Sequence, residues 1–241
     1  MKRIFLKLVA TAFVVGMIIC GVSCCKMDTI TGNGNLEAIE KTFSSFEKIN
    51  FEGSAEIRYY MSEEYRTVIT IDENLHKYLE VYTQKNTLNI RLLKGNSYRY
   101  RECLIEVYCP VITGVTSSGA VSFEGIDKII APSFEVKISG AGKINTDIEC
   151  ENFTAKISGS GKMTVGGTSA KANIDISGDG NFSGKDLNTK NTTVNISGSG
   201  IVNICVEDNL KANISGSGVI NYWGSPKVVS NISGAGRLRK M

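Results

Sequence analysis

From residue 134 to the end of the chain, apolar and polar residues alternate in steps of two, and the alternation returns in phase six times. Each return is centred on Ile-Ser-Gly-x-Gly: Ile138–Gly142, Ile157–Gly161, Ile176–Gly180, Ile196–Gly200, Ile214–Gly218 and Ile232–Gly236. Four residues before the isoleucine stand Phe134, Phe153, Ala172, Thr192, Leu210 and Val228, and two before it Val136, Ala155, Ile174, Val194, Ala212 and Ser230. Six after it come Ile144, Met163, Phe182, Val202, Ile220 and Leu238. Both glycines share the parity of these mostly apolar columns. The other parity is polar: Lys137, Lys156, Asp175, Asn195, Asn213 and Asn231 precede the isoleucine, and serine follows it in every copy. Period two with one apolar face predicts half-buried strands, and the helical period of 3.6 is absent.

Successive isoleucines lie 19, 19, 20, 18 and 18 residues apart, and a looser relative, Ser117-Ser118-Gly119-Ala120-Val121, sits one period upstream. A unit this short cannot bury its own apolar face, so its repetition predicts stacked coils, an all-β solenoid of about 18–20 residues per coil. Layers at a strand spacing of roughly 4.8 Å make six intervals a rod on the order of 30 Å long. The glycines mark bends where a Cβ would strike the next layer, or where φ must be positive; the period leaves both causes open. Solenoid ends expose unpaired edges. Arg237, Arg239 and Lys240 put three cations on the last coil.

Upstream the alternation is shorter and irregular. Ala55-Ile57-Tyr59, Val68-Ile69-Thr70-Ile71, Leu88-Ile90-Leu92 and Cys103-Ile105-Val107 predict strands, with Pro110 ending the last. Leu75, Tyr78 and Leu79 have the spacing of a short helical turn. Residues 43–115 are expected to form irregular first coils that cap the regular ones of 116–241, all in one domain. Residues 25–42 are polar, with Thr31-Gly32-Asn33-Gly34-Asn35, and are expected to be a flexible tether.

The first 24 residues add an address. Met1-Lys2-Arg3 and Lys7 precede an uncharged, mainly apolar stretch over 8–25 that ends Gly21-Val22-Ser23-Cys24-Cys25. This reads as a secretory signal of the bacterial lipoprotein type, with Cys24 the acylated residue and Cys25 the alternative. The competing reading is an uncleaved membrane helix, because 18 uncharged residues are about the minimum for a span. Either places the domain outside the cytoplasm, with the membrane as a partner. The charge balance follows: 27 Lys+Arg face 24 Asp+Glu, and loss of Lys2, Arg3 and Lys7 leaves 24 against 24. The excess of cations belongs to the targeting segment, so no nucleic-acid partner is expected.

Catalytic motifs are missing. His76 is the only histidine, which excludes a histidine-cluster metal site, and Cys-x-x-Cys, Gly-x-Ser-x-Gly and phosphate-loop patterns do not occur. No catalytic residue, metal or cofactor is expected. Cys103 and Cys109 share one strand face but stand roughly 20 Å apart along it, beyond disulfide reach. Cys150 has inward parity, Cys205 falls in a different column, and free thiols are expected at all four. Three groups remain for binding or chemistry. Asp147, Glu149 and Glu151 share outward parity, but alternate strand residues stand almost 7 Å apart, wide for one Ca²⁺. Tyr98-Arg99-Tyr100-Arg101 and Tyr222-Trp223 combine aromatic faces with polar groups in a way that suits a glycan, with an ordinary polar loop as the alternative. The serine and asparagine columns predict side-chain ladders along the rod.

The coils resemble the bacterial family described as "putative auto-transporter adhesin, head GIN domain". Its Gly-x-Ile-Asn-like run appears as Gly142-Lys143-Ile144-Asn145, Gly200-Ile201-Val202-Asn203 and Gly218-Val219-Ile220-Asn221. Phe46-Glu47-Lys48-Ile49, Asp72-Glu73-Asn74-Leu75 and Leu88-Asn89-Ile90 fit the family layout before the coils, so the resemblance covers roughly residues 43–236. It implies a right-handed parallel β-helix on a surface or periplasmic lipoprotein of Bacteroidetes-type bacteria, and brings no catalytic or binding residues with it. The function expected is a non-enzymatic envelope module that binds glycan or an envelope or host protein. The alternatives are a β-helical polysaccharide lyase or hydrolase using Asp147, Glu149 and Glu151 with Lys143 or Arg101, and a structural lipoprotein without ligand.

Overall fold

The computed structural model describes residues 28–241. The chain begins with β1 (Thr29–Thr31), β2 (Leu36–Thr42), the long β3 (Lys48–Met61) and β4 (Arg66–Asp72). A 3₁₀ turn, Glu73–Tyr78, then leads to β5 (Leu79–Gln84), β6 (Thr87–Leu92), β7 (Ser97–Arg99) and β8 (Cys103–Cys109). The repeats follow as β9 (Gly114–Gly125), β10 (Ile129–Gly140), β11 (Lys143–Gly159), β12 (Lys162–Gly178) and β13 (Asn181–Gly198). β14 (Ile201–Gly216), β15 (Val219–Trp223), β16 (Lys227–Gly234) and β17 (Arg237–Lys240) complete the chain. These strands build a β-solenoid of about seven turns.

Every neighbouring pair among the repeat strands is parallel, and the motif stacks on itself: Ile138, Ile157, Ile176, Ile196 and Ile214 pair in turn, as do the serines and first glycines beside them. The even-parity columns form the core, with Ile138, Ile157, Ile176, Ile196 and Ile214 at most 2 % exposed. Phe134 stacks on Phe153 at 6.3 Å between centroids, and Phe182, from a different inward column, meets Phe153 at 6.1 Å. The 20-residue spacing is absorbed by a register shift between Thr164 and Gly167, and the 18-residue spacing by two, between Gly184 and Asn188 and between Thr189 and Asn191. From Asn173 to Gly178 the layers stay in step.

The two motif glycines answer the open question differently. Gly198 has φ +127°, and a Cβ there would lie 2.5 Å from the carbonyl oxygen of Gly178 in the layer below. Gly200 has no positive φ; a Cβ there would meet the Cγ2 of Ile176 at 2.6 Å. The first glycine needs both its backbone freedom and its missing side chain, and the second only the latter.

The same corner continues upstream. Gly53 and Gly119, both with positive φ, stack beneath Gly140, so Phe51-Glu52-Gly53 is a further copy of the motif that the sequence pattern did not reveal. β3 is therefore a regular first coil beneath β9. The excursion of residues 62–113 covers its open end: β6 and β8 lie parallel on β3, β4 runs antiparallel to β8, and β5 antiparallel to β6.

Residues 28–42 correct one expectation. They are a strap built into the cap and not a free tether. β2 pairs antiparallel with β4 from Leu36–Asp72 to Thr42–Arg66, and β1 pairs with β7. Between them the Gly32–Asn35 loop is fastened to the buried Asp72, whose Oδ1 accepts the Gly34 N–H, while the Asn33 N–H donates to Asn74 Oδ1 at 3.0 Å. The polarity that looked like a linker is that of an edge strand, exposed on most of its length, and of a loop that binds through its backbone. Among the described residues no helix is long and apolar enough to cross a membrane. The signal segment, with Cys24 and Cys25, lies outside them.

Candidate functional site

Outward-pointing residues of the coils fall into columns because parallel, in-register stacking places equivalent positions above one another. Between Ser133 and Ser139, and at the matching positions of β11–β14 and β16, four columns make one face of the rod. Two furrows run along it. The larger, about 740 Å³, has the Lys137-Lys156-Asp175-Asn195-Asn213-Asn231 column on one bank and the six motif serines on the other, with the isoleucine column as its floor. The smaller, about 340 Å³, lies beside it between Asn152, Lys171, Asn191 and Asn209 and Thr154, Asn173, Thr193 and Lys211.

The amides bond to each other as expected for a ladder. Asp175 accepts from Asn173 Nδ2 at 2.8 Å and from Asn195 Nδ2 at 2.7 Å, and Asn195 Oδ1 accepts from Asn213 Nδ2 at 2.7 Å. Asn191 accepts from Asn209 at 2.7 Å in the neighbouring furrow. Each rung uses one N–H and one lone pair, so every inner asparagine keeps a donor and an acceptor for something else. Among the described residues the motif serine hydroxyls bond to no protein group, and they are exposed.

The face is also where cations gather. It carries Lys137, Lys156, Lys171, Lys211 and Lys227 against Glu135 and Asp175 alone. The described residues as a whole hold 23 Lys+Arg and 24 Asp+Glu, because Lys2, Arg3, Lys7 and Lys26 of the chain's 27 basic residues lie outside them. Glu135 bonds both Lys137 (2.8 Å) and Lys156 (3.3 Å). Partial burial works to raise its carboxyl, but the two ammonium groups outweigh it and hold the group below the usual carboxylate range. Lys171 and Lys211 have no ion pair among the described residues.

The residues singled out from the sequence are scattered. Tyr98 and Arg99 lie in β7 and not in a loop, because β1 supplies a parallel partner there. Both tyrosine hydroxyls are engaged: Tyr98 donates to the Leu93 carbonyl at 2.9 Å and Tyr100 to the Ser54 carbonyl at 2.6 Å. Tyr222 and Trp223 end β15 near the other end of the rod, half-buried, with Lys185 5.4 Å over the indole. Arg101 is exposed beside the cap. Asp147, Glu149 and Glu151 are exposed, and Glu149 pairs with Lys128 at 3.3 Å. Among the described residues no three His, Cys, Asp or Glu side chains converge on a metal position.

Cys103, Cys109, Cys150 and Cys205 are free thiols. Burial pushes Cys103 and Cys109 up to about 12. Cys150 is half-buried, with its Sγ 3.5 Å from the Ser169 hydroxyl.

Rod, glycine corners and cap define a β-solenoid of the adhesin-head type. The family described as "Putative auto-transporter adhesin, head GIN domain" matches residues 45–226, and the chain belongs to it. A solved structure of a putative adhesin from Bacteroides fragilis NCTC 9343 is similar over 88 % of this chain and 100 % of its own, at 20 % identity and a TM-score of 0.84. A putative lipid binding protein from Parabacteroides distasonis ATCC 8503 is 26 % identical, with 89 % of this chain and 100 % of that one covered and a TM-score of 0.76. A putative adhesin from Parabacteroides merdae ATCC 43184 is 24 % identical, covers 89 % of this chain and 99 % of its own, and has a TM-score of 0.72. No curated protein matches. Membership of an adhesin family supports an exported, envelope-associated protein with a non-enzymatic, adhesin-like role.

Proposed function

We propose that this protein is a non-enzymatic binding module of the cell envelope, anchored by a lipid on Cys24 (or Cys25) and presenting its solenoid to a glycan or to an envelope or host protein. The observation that carries the reading is the long polar face, whose serine hydroxyls and spare amide groups bond to no protein group among the described residues. Polar side chains in register over several layers suit an extended partner better than a small metabolite. The relatives named as adhesins support binding over catalysis, and the exposed, separately placed Asp147, Glu149 and Glu151 give a lyase no convergent acid–base pair.

The test compares attachment of a deletion strain with its parent and recovers partners with the full chain as bait. Loss of attachment and capture of a glycan or an envelope or host component are expected, with acyl label on the wild-type chain and none on the Cys24→Ala, Cys25→Ala double variant. Unchanged attachment together with no captured partner would sink the reading. Release of unsaturated sugar products would replace it with the enzyme.

A further inference from the structure

We infer that the twin-furrow face between β10 and β16 is the ligand site, and that its ligand is an extended polysaccharide carrying carboxylates, lying along the rod axis. The inference rests on the binding-module reading and names the surface and ligand class within it.

Three features of the face converge. Its backbone N–H and C=O groups are consumed by the parallel ladders between layers, so the face cannot add a peptide strand; it offers side chains only. Those side chains are hydroxyls, amides and ammonium groups. A chain of sugars meets hydroxyls and spare amides with its own hydroxyls, rung by rung along furrows that cross several layers. No aromatic side chain stands in the four outward columns, which removes the stacking platforms that a single sugar ring would need.

Charge selects among polysaccharides. Five lysines against two carboxylates make the face cationic on a body whose described residues carry one more acid than base. Glu135 already holds Lys137 and Lys156, and Asp175 is satisfied by two amides. Lys171, Lys211 and Lys227 are the cations left for a ligand among the described residues, the first two on the smaller furrow and Lys227 stacked on Asn209 at its end. An acidic chain finds ammonium groups there and hydroxyl partners in the larger furrow beside it.

The full chain, purified in mild detergent, is titrated at low and physiological salt. The probes are polygalacturonate, neutral dextran, poly-glutamate and vesicles containing phosphatidylglycerol. Polygalacturonate is expected to bind with a marked salt dependence, and dextran, poly-glutamate and vesicles about tenfold more weakly or not at all. The Lys171→Gln, Lys211→Gln double variant is expected to lose about tenfold in polygalacturonate affinity and to flatten the salt dependence. Lys143→Gln with Lys162→Gln, elsewhere on the coils, should change neither. Ser177→Ala with Ser197→Ala should weaken binding while leaving the salt slope intact.

Equal binding of poly-glutamate or of vesicles would overturn the ligand class, and so would equal binding of dextran. Polygalacturonate binding untouched by the Lys171 and Lys211 substitutions, or abolished by Trp223→Ala, would overturn the face. If no probe binds yet the deletion strain still loses attachment, this inference fails and the binding module stands. If attachment is also unchanged and no partner is captured, both fall.

Discussion

The coils and the cap solve one problem, covering apolar strand faces, by opposite means. In β10–β14 each layer is covered by a near copy of itself, in parallel and in register, and identical residues meet: isoleucine on isoleucine, glycine on glycine. In the cap, residues 28–47 and 62–113, no layer resembles its neighbour, parallel and antiparallel pairs mix, and the core is filled by one-off residues such as Phe46, Ile69 and Leu75. Stacking in register brings each corner glycine against the backbone of the layer below, so the coil tolerates little at its corners. The cap, assembled from unlike pieces, confines a misfit to one place.

Glycine substitutions break this comparison most sharply. Gly198→Ala places a methyl against a backbone carbonyl at a φ that L-residues avoid, and is expected to cost 3 kcal/mol or more, roughly the scale of combined overpacking and strain. Gly200→Ala carries no positive-φ strain but presses on the Cγ2 branch methyl of the buried Ile176 at 2.6 Å and on the Gly180 carbonyl oxygen at 3.0 Å, and about 1–3 kcal/mol of overpacking is expected. Gly34→Ala in the cap strap has φ +83° with nothing within 4 Å of the added methyl, and only about 1–2 kcal/mol of backbone strain is expected. Denaturant midpoints read the series, and any other order would remove the distinction between corner and cap.

A milder probe concerns the ladder. Asn195→Ala removes the middle rung, leaving Asp175 and Asn213 each without one partner, and about 1 kcal/mol is expected because both stay partly in water. Asn50→Ala, which removes the Asn89 contact between β3 and β6, should cost a similar amount. If the ladder substitution costs several times more than the cap substitution, the rungs reinforce one another along the rod.

The smallest effect is a pH dependence confined to the coils. Because Lys137 and Lys156 hold Glu135 below its unfolded value, its contribution is present above the unfolded carboxylate range and fades as pH falls through the folded value. Much of this is screened by solvent at so exposed a site. Glu135→Gln is expected to remove a shallow acid-side loss of thermal stability and leave the neutral-pH melting point nearly unchanged. An unaltered acid limb would assign the loss to other carboxylates.

Legibility followed the same division. The coil core, its register and the serine and asparagine columns could be read from period-two alternation because a repeat states each rule six times. The second motif copy upstream, Phe51-Glu52-Gly53, escaped because one occurrence with two altered residues carries no period; only the pairing of Gly53 with Gly119 exposes it. The strap was misread because Thr31–Asn35 is polar for the sake of backbone bonds to Asp72 and Asn74, some forty residues away. Tyr98 and Tyr100 looked like free surface aromatics because their carbonyl partners, Leu93 and Ser54, leave no mark on composition.

By itself, then, the sequence determined the all-β solenoid, the inward and outward parity of its coils and the lack of catalytic motifs, since these follow from local alternation and residue inventory. Tertiary structure alone decided which polar columns share a face, that two furrows run between them, and that the unpaired lysines collect beside the free hydroxyls. Neighbours on that face are 18–20 residues apart in the chain, and only stacking in register brings their side chains within reach of one ligand.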